Sequence, residues 1–160
     1  MAQNITDKTL IDLEFSTVLE TIEEYCISDL GRQMVQHIRP INRSLELKSE
    51  LYQVNEYLSS FDNDNTIPSH DFSDITKELK LLAIENTFLE VDAFREIASI
   101  SELSNGLIKF FKKFQEYYPN LNALASEVEY TEDITKAIHS KINRFGEVRD
   151  DASDFLKKLR

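Results

Sequence analysis

Apolar residues recur at three- and four-residue intervals along nearly all of this chain, and that period favours helices over strands throughout. Phe15, Val18, Leu19, Ile22 and Cys26 mark one face of a first helix, and Leu30, Met34, Ile38 and Ile41 mark a second. Ser28 stands where that second helix needs an N-cap, and Pro40 is placed to close it, because proline disfavours helical geometry in the residue before it. Leu47, Leu51, Val54, Leu58 and Phe61 then alternate steps of four and three, a narrow stripe suited to packing along another helix.

A loop through Asp62 to Thr66 and Pro68 follows, after which Ser73 is expected to cap a shorter helix carrying Ile75, Leu79 and Leu82. A break at Glu85-Asn86-Thr87 precedes the longest pattern, from Glu90 to Tyr117, whose inner face should hold Ile97, Ile100, Leu103, Leu107, Phe110, Phe114 and Tyr117. Such a helix would be about 40 Å long and would form the spine of the domain. Pro119 comes just after it, and Leu121, Leu124 and Val128 make a short segment. Thr131 is placed to cap a helix with Ile134, Ile138 and Ile142 on its buried side, with Glu132 and Asp133 near its positive end. A last amphipathic helix begins near Ala152 and carries Phe155, Leu156 and Leu159 to the final residues without a stop signal. That ending reads as an amino-terminal fragment of a longer protein. The expected fold is an all-α, multi-helix bundle with one long central helix, built as a single domain over residues 1–160.

Composition agrees, since three glycines and three prolines in 160 residues supply few of the turns a strand-rich fold needs. An apolar content of 41% suffices for a core. The single cysteine, Cys26, excludes an internal disulfide and suits a reducing, cytoplasmic setting. No apolar run approaches a membrane span, and the amino terminus lacks the pattern of a secretory signal. With 29 acidic against 18 basic side chains, the net charge of -11 opposes wrapping around a phosphate backbone. Lys109, Lys112 and Lys113, and Lys157, Lys158 and Arg160, are short basic clusters of the kind found on solvated helix faces.

The candidate sites are weak as chemistry. Asp62-Asn63-Asp64-Asn65-Thr66 resembles the start of a calcium loop, but Ile67 and Ser73 stand where glycine and a bidentate glutamate are required. His37, His70 and His139 lie on different elements without metal-ligand spacing. Glu147, Asp150, Asp151 and Asp154 could attract magnesium, yet acidic residues also stabilise a helix amino terminus. Cys26 has no basic neighbour to favour a thiolate and reads as a small core residue. No Gly-x-x-x-x-Gly-Lys phosphate loop occurs. The sequence therefore assigns this segment no catalytic residue, no cofactor-binding residue and no metal ligand.

Several stretches taken together resemble a known family. Leu13-Glu14-Phe15 with Val18-Leu19, Ser28-Asp29-Leu30-Gly31-Arg32, Pro40 and Val54-Asn55-Glu56 are similar to the amino terminus of the MutS-II proteins, bacterial MutS-like ATPases and endonucleases. Gly146-x-Val148-x-Asp150-x-Ala152-Ser153, with Leu156 and Leu159-Arg160, resembles the family segment that precedes the long helix into the clamp. The break at Glu85 to Leu89 departs from it, lacking the glycines often found there. The resemblance spans nearly the whole chain and implies the helical core and lever region, without the clamp, ATPase and Smr nuclease domains. It also implies a homodimeric parent that uses ATP and magnesium on branched or mismatched DNA, suppresses recombination, and in some bacteria splits collided ribosomes. The other reading of the residues is an autonomous helical interaction module, whose stripe at Leu47 to Phe61 or at Ile97 to Tyr117 receives a partner helix.

Overall fold

The computed structural model describes residues 5–143 and 145–159, with Leu159 by its backbone alone. Among these residues the chain is all-α, with nine helices and no strand. A single antiparallel bridge joins Ile142 to Val148.

Three short helices open the chain. α1 (Asp7–Asp12) starts where the Thr6 hydroxyl accepts from the Thr9 amide, a polar start that apolar spacing alone passes over. Glu14, at φ 52°, makes the left-handed turn into α2 (Phe15–Glu24). Ser28 caps α3 (Asp29–Val35) as expected, accepting from the Gly31 amide at 3.1 Å. That helix stops well short of Pro40. Cys26 lies beyond the end of α2 and is half-buried, its thiol 3.6 Å from the Ile22 carbonyl.

α4 (Ser44–Ser59) is followed by the 62–75 loop and by α5 (Thr76–Leu82). Ser73 does not cap α5; the acceptor is Asp74, whose Oδ1 takes the Thr76 amide at 2.9 Å. The break after α5 turns at Asn86, φ 61°, so asparagine fills the left-handed position that glycine usually supplies. Thr87 Oγ1 lies 2.6 Å from the Leu81 carbonyl and 2.8 Å from that of Ile84, closing the helix end.

α6 (Val91–Lys113) is the spine, about 35 Å of helix. It packs against α8 (Glu132–His139) and α7 (Pro119–Ala125), and α7 in turn packs against α4. α9 (Asp154–Leu159) ends the described chain, with Ser153 Oγ accepting from the Leu156 amide. The spine stops four residues before the expected Tyr117, because Phe114 leaves helical geometry and the chain turns to send Tyr118 inward. Its buried line is also shifted by about one residue from the expected apolar stripe. Ile97, Ala98, Ser101, Asn105 and Phe111 are buried, Ile100, Leu103, Leu107, Phe110 and Phe114 flank them, and Tyr117 is 59% exposed. The small and polar positions on that line let α8 approach closely. Thr131 does begin α8, but its own side chain caps nothing there; its amide is held instead by Asn105 Oδ1 at 2.9 Å. Of the three isoleucines expected to be buried on α8 and after it, Ile142 is buried, Ile138 is half-buried and Ile134 is exposed.

The largest departure from expectation is α4. Leu47, Leu51, Val54, Leu58 and Phe61 all face solvent, while the side turned to α7 carries Glu56 and Ser60, both buried. Glu56 explains the inversion. Its Oε1 accepts from the backbone amide of Asn120 at 3.0 Å and from the Asn120 side chain, and its Oε2 accepts from the Leu121 amide at 2.9 Å. These amides are among the unpaired donors at the start of α7, where Tyr118 offers no cap of its own. A carboxylate there meets both the free N–H groups and the positive end of the helix dipole.

Tyr118, fully buried, completes the joint. Its hydroxyl donates to the Asn65 carbonyl at 2.6 Å and lies 3.2 Å from Asn63 Oδ1. Its ring packs on Phe110 and Phe111 with centroids 5.8 and 6.1 Å away. Polar tethers and a small aromatic cluster thus hold the frame. The chain exposes 12735 Å², about half as much again as the roughly 8,200 Å² of a folded monomer of this size.

Removal of the α7 cap should therefore cost far more than removal of an α4 leucine. Glu56→Ala, which leaves three donors without their acceptor, is expected to lower unfolding stability by about 2–3 kcal/mol. Leu51→Ala on the same helix should change it by less than about 0.5 kcal/mol. Urea titrations followed by circular dichroism would check both; the reverse ranking would show that the stripe of α4 carries the packing.

Candidate functional site

The polar loop at Asp62 to Thr66 is a clasp in this fold. Asn63 Nδ2 donates to the Ser59 carbonyl at 2.8 Å, Asn63 Oδ1 takes the Asn65 amide at 2.7 Å, and Tyr118 binds the same turn. Asn63 Oδ1, one of the oxygen atoms that suggested a calcium loop, is thus taken up by the Asn65 amide and the Tyr118 hydroxyl, while Asp62 and Asp64 are exposed.

The histidines occupy three separate places. His37 bonds the Gln33 carbonyl through Nδ1 at 2.9 Å. His70 bridges Tyr57 Oη and the Pro68 carbonyl, with its ring edge-on to Tyr57. His139 joins α8 to the spine, Nε2 standing 2.6 Å from Glu102 Oε1, with both side chains about half exposed. In the neutral Nε2–H tautomer or the protonated form, the imidazole donates this bond.

Glu147 accepts from Asn143 Nδ2 at 2.9 Å, inside the turn that Gly146 makes at φ 82°. That turn lies against Arg95, whose Cδ would be 2.7 Å from a Cβ placed on Gly146. Asp151 takes a two-point contact from Arg149, at 2.9 and 3.2 Å, and this bond holds its carboxyl below the ordinary aspartate range. Arg149 is raised by the same bond. Asp154 sits in the first turn of α9, where the helix dipole favours it. Asp150 lies with Asn143, Glu147, Arg149 and Asp151 around an open depression of about 740 Å³. Among the described residues, no three His, Cys, Asp or Glu side chains are grouped to hold a metal ion.

Lys112 and Lys113 lie in the last turn of α6, where positive charge complements the helix dipole. Lys109 Nζ stands 5.2 Å from the centre of the Tyr130 ring, and Lys113 Nζ stands 4.8 Å from that of Phe114. The hydrogen bond with Tyr130 raises the Lys109 pKa. Lys157 and Lys158 end α9, and Arg160 lies outside the described residues.

The residues that organise the molecule are therefore ones the apolar periodicity passes over: Glu56, Asn63, Asn105 and Tyr118. One signal was available for Glu56. Tyr118-Pro119 starts a helix with proline at its first position and no capping side chain before it, which leaves its first amides to water or to an acceptor from another element. The hydrogen bonds of Glu56, Asn63, Asn105 and Tyr118 hold helix ends and turns against one another.

Comparison with known proteins gives relatives along nearly the whole chain. Proteins named Endonuclease MutS2 match it from Symbiobacterium thermophilum, at 27% identity over 154 residues and 96% of this chain. Those from Geobacillus sp. and Lactiplantibacillus plantarum match at 28% over 92% of the chain and 24% over 98%. No family model matches, and no solved structure matches significantly. The chain spans only about one fifth of the length of these curated relatives, 19% of the first two and 20% of the third. Over nearly its whole length, then, this chain is similar to about one fifth of the length of proteins named Endonuclease MutS2, at 24–28% identity in these three.

Proposed function

We propose that these residues form the non-catalytic core and lever segment of a MutS-II-like protein, a DNA-acting ATPase and endonuclease whose chemistry resides in other parts of the parent chain. The observation that carries the reading is the match of nearly the whole chain to about one fifth of proteins named Endonuclease MutS2. Its residues agree with a mechanical role. The glycines at positions 31, 106 and 146 are too scattered to form a phosphate loop. The spine is joined to α7 and α8, and Glu56 ties α7 to α4, so a displacement of one end of α6 is delivered to α4 through packed and hydrogen-bonded contacts. A net charge of -11 suits a part that transmits movement without gripping phosphates itself.

On this reading the parent is a cytoplasmic homodimer that takes ATP and magnesium outside this segment. Its substrates are branched or mismatched DNA in the suppression of recombination, or collided ribosomes. A second reading, an autonomous helical interaction module, is favoured by the outward stripe of α4.

Two experiments test these readings. The purified 160-residue chain should turn over no ATP and cut no branched DNA in magnesium or manganese, while the product of the complete open reading frame should do both. Turnover that follows the short chain through chromatography would overturn the assignment. A reading frame closing soon after Arg160 would favour the interaction module.

A further inference from the structure

α4 carries two faces of opposite use. Written as heptads, Leu51 and Leu58 take the first core position and Leu47, Val54 and Phe61 the second, which is the seam of a two-helix pair. The seam points away from α7, and its five side chains are 40 to 65% exposed. α4 needs none of them to hold its place, because the opposite face is fixed through Glu56 and Ser60.

We propose that this seam is the docking site for a helix of the parent polypeptide lying outside residues 1–160, an amphipathic helix whose own apolar residues repeat at three and four. The proposal rests on the reading of this chain as a segment of a larger one. Three observations select that occupant over a second copy of the chain. Five side chains of this size cover on the order of 500 Å² on each partner, short of the roughly 800 Å² per partner of a stable free complex. Each copy carries a net charge of -11, which opposes pairing of like molecules. Tethering removes the area shortfall, since a linked helix acts at a millimolar effective concentration and two heptads are then enough. The relatives supply the length, as about four fifths of each lies outside the match. The side positions next to the seam hold Lys48, Glu50, Asn55 and Tyr57, so specificity comes from the apolar register rather than from a dense rim of charge.

The test uses a cysteine at the middle of the seam. Val54→Cys, checked by circular dichroism against the unaltered protein, is made in both the 160-residue chain and the full-length parent. Maleimide labelling of the peptide containing residue 54 is followed by mass spectrometry at submicromolar protein. The expected result is fast labelling in the short chain and at least tenfold slower labelling in the parent, independent of protein concentration. Equal rates in a folded parent would overturn the docking proposal and leave the parent assignment standing. Protection that grows with protein concentration would overturn it in favour of a second copy. A reading frame that closes near Arg160 would overturn both readings together.

Discussion

The bond between the Glu56 carboxylate and the first amides of α7 decides how this molecule is put together. α7 begins with Pro119 and has no local capping side chain, so its free N–H groups must be met by water or by another element. Glu56 meets them from α4, 64 residues earlier in the chain. Once that bond is made, the side of α4 bearing Glu56 must face α7, and geometry then sends its leucines outward. The same joint places Tyr118 against Phe110 and Phe111 and brings the 62–66 turn over it. One buried carboxylate thus fixes the orientation of a helix that its apolar pattern would have turned the other way.

This choice has a cost in ordinary core burial. Seven apolar residues are buried among those described, and two of them are alanines. The spine supplies Ile97, Ala98 and Phe111, while Ser101 and Asn105 on it and Thr135 on α8 are buried polar positions, and Glu102 bonds His139 of α8. Hydrogen bonds of this kind are directional, so they specify which helix end meets which partner even where apolar burial is slight. α1, α2 and α3 form a run in which each helix packs on the next, and Ile27, Ser28 and Asp29 line an open depression together with Glu96, Ser99 and Ile100 of the spine.

Much of the helical order was legible in the sequence because it depends on local signals. Ser28 as a cap, the existence of the long helix, the start of a helix at Thr131 and the break at Asn86 all follow from residues within a few positions of one another. What failed was the assignment of faces. A stripe at three and four marks a surface able to pack, and nothing in the stripe of α4 tells whether its partner is within these residues. The end of α6 was misplaced for a related reason: Phe114 and Tyr117 continue the apolar period, but the packing of Tyr118 ends the helix early. Among the candidate sites, the separation of the histidines was legible from spacing. The use of Asn63 as a clasp was not, because its partner Tyr118 is 55 residues away.

Charge and apolar surface pull in opposite directions here, and their ranges differ. The exposed leucines and aromatics attract any apolar surface, but only on contact, whereas the net charge of -11 acts over about a Debye length, roughly 8 Å at physiological salt. Two copies approaching in solution meet the repulsion first. A helix carried on the same polypeptide does not have to cross that barrier from a distance, since its linker already holds it near. An acidic surface with apolar seams is therefore selective for partners that are tethered, and the combination favours contacts within one polypeptide over contacts between identical free chains.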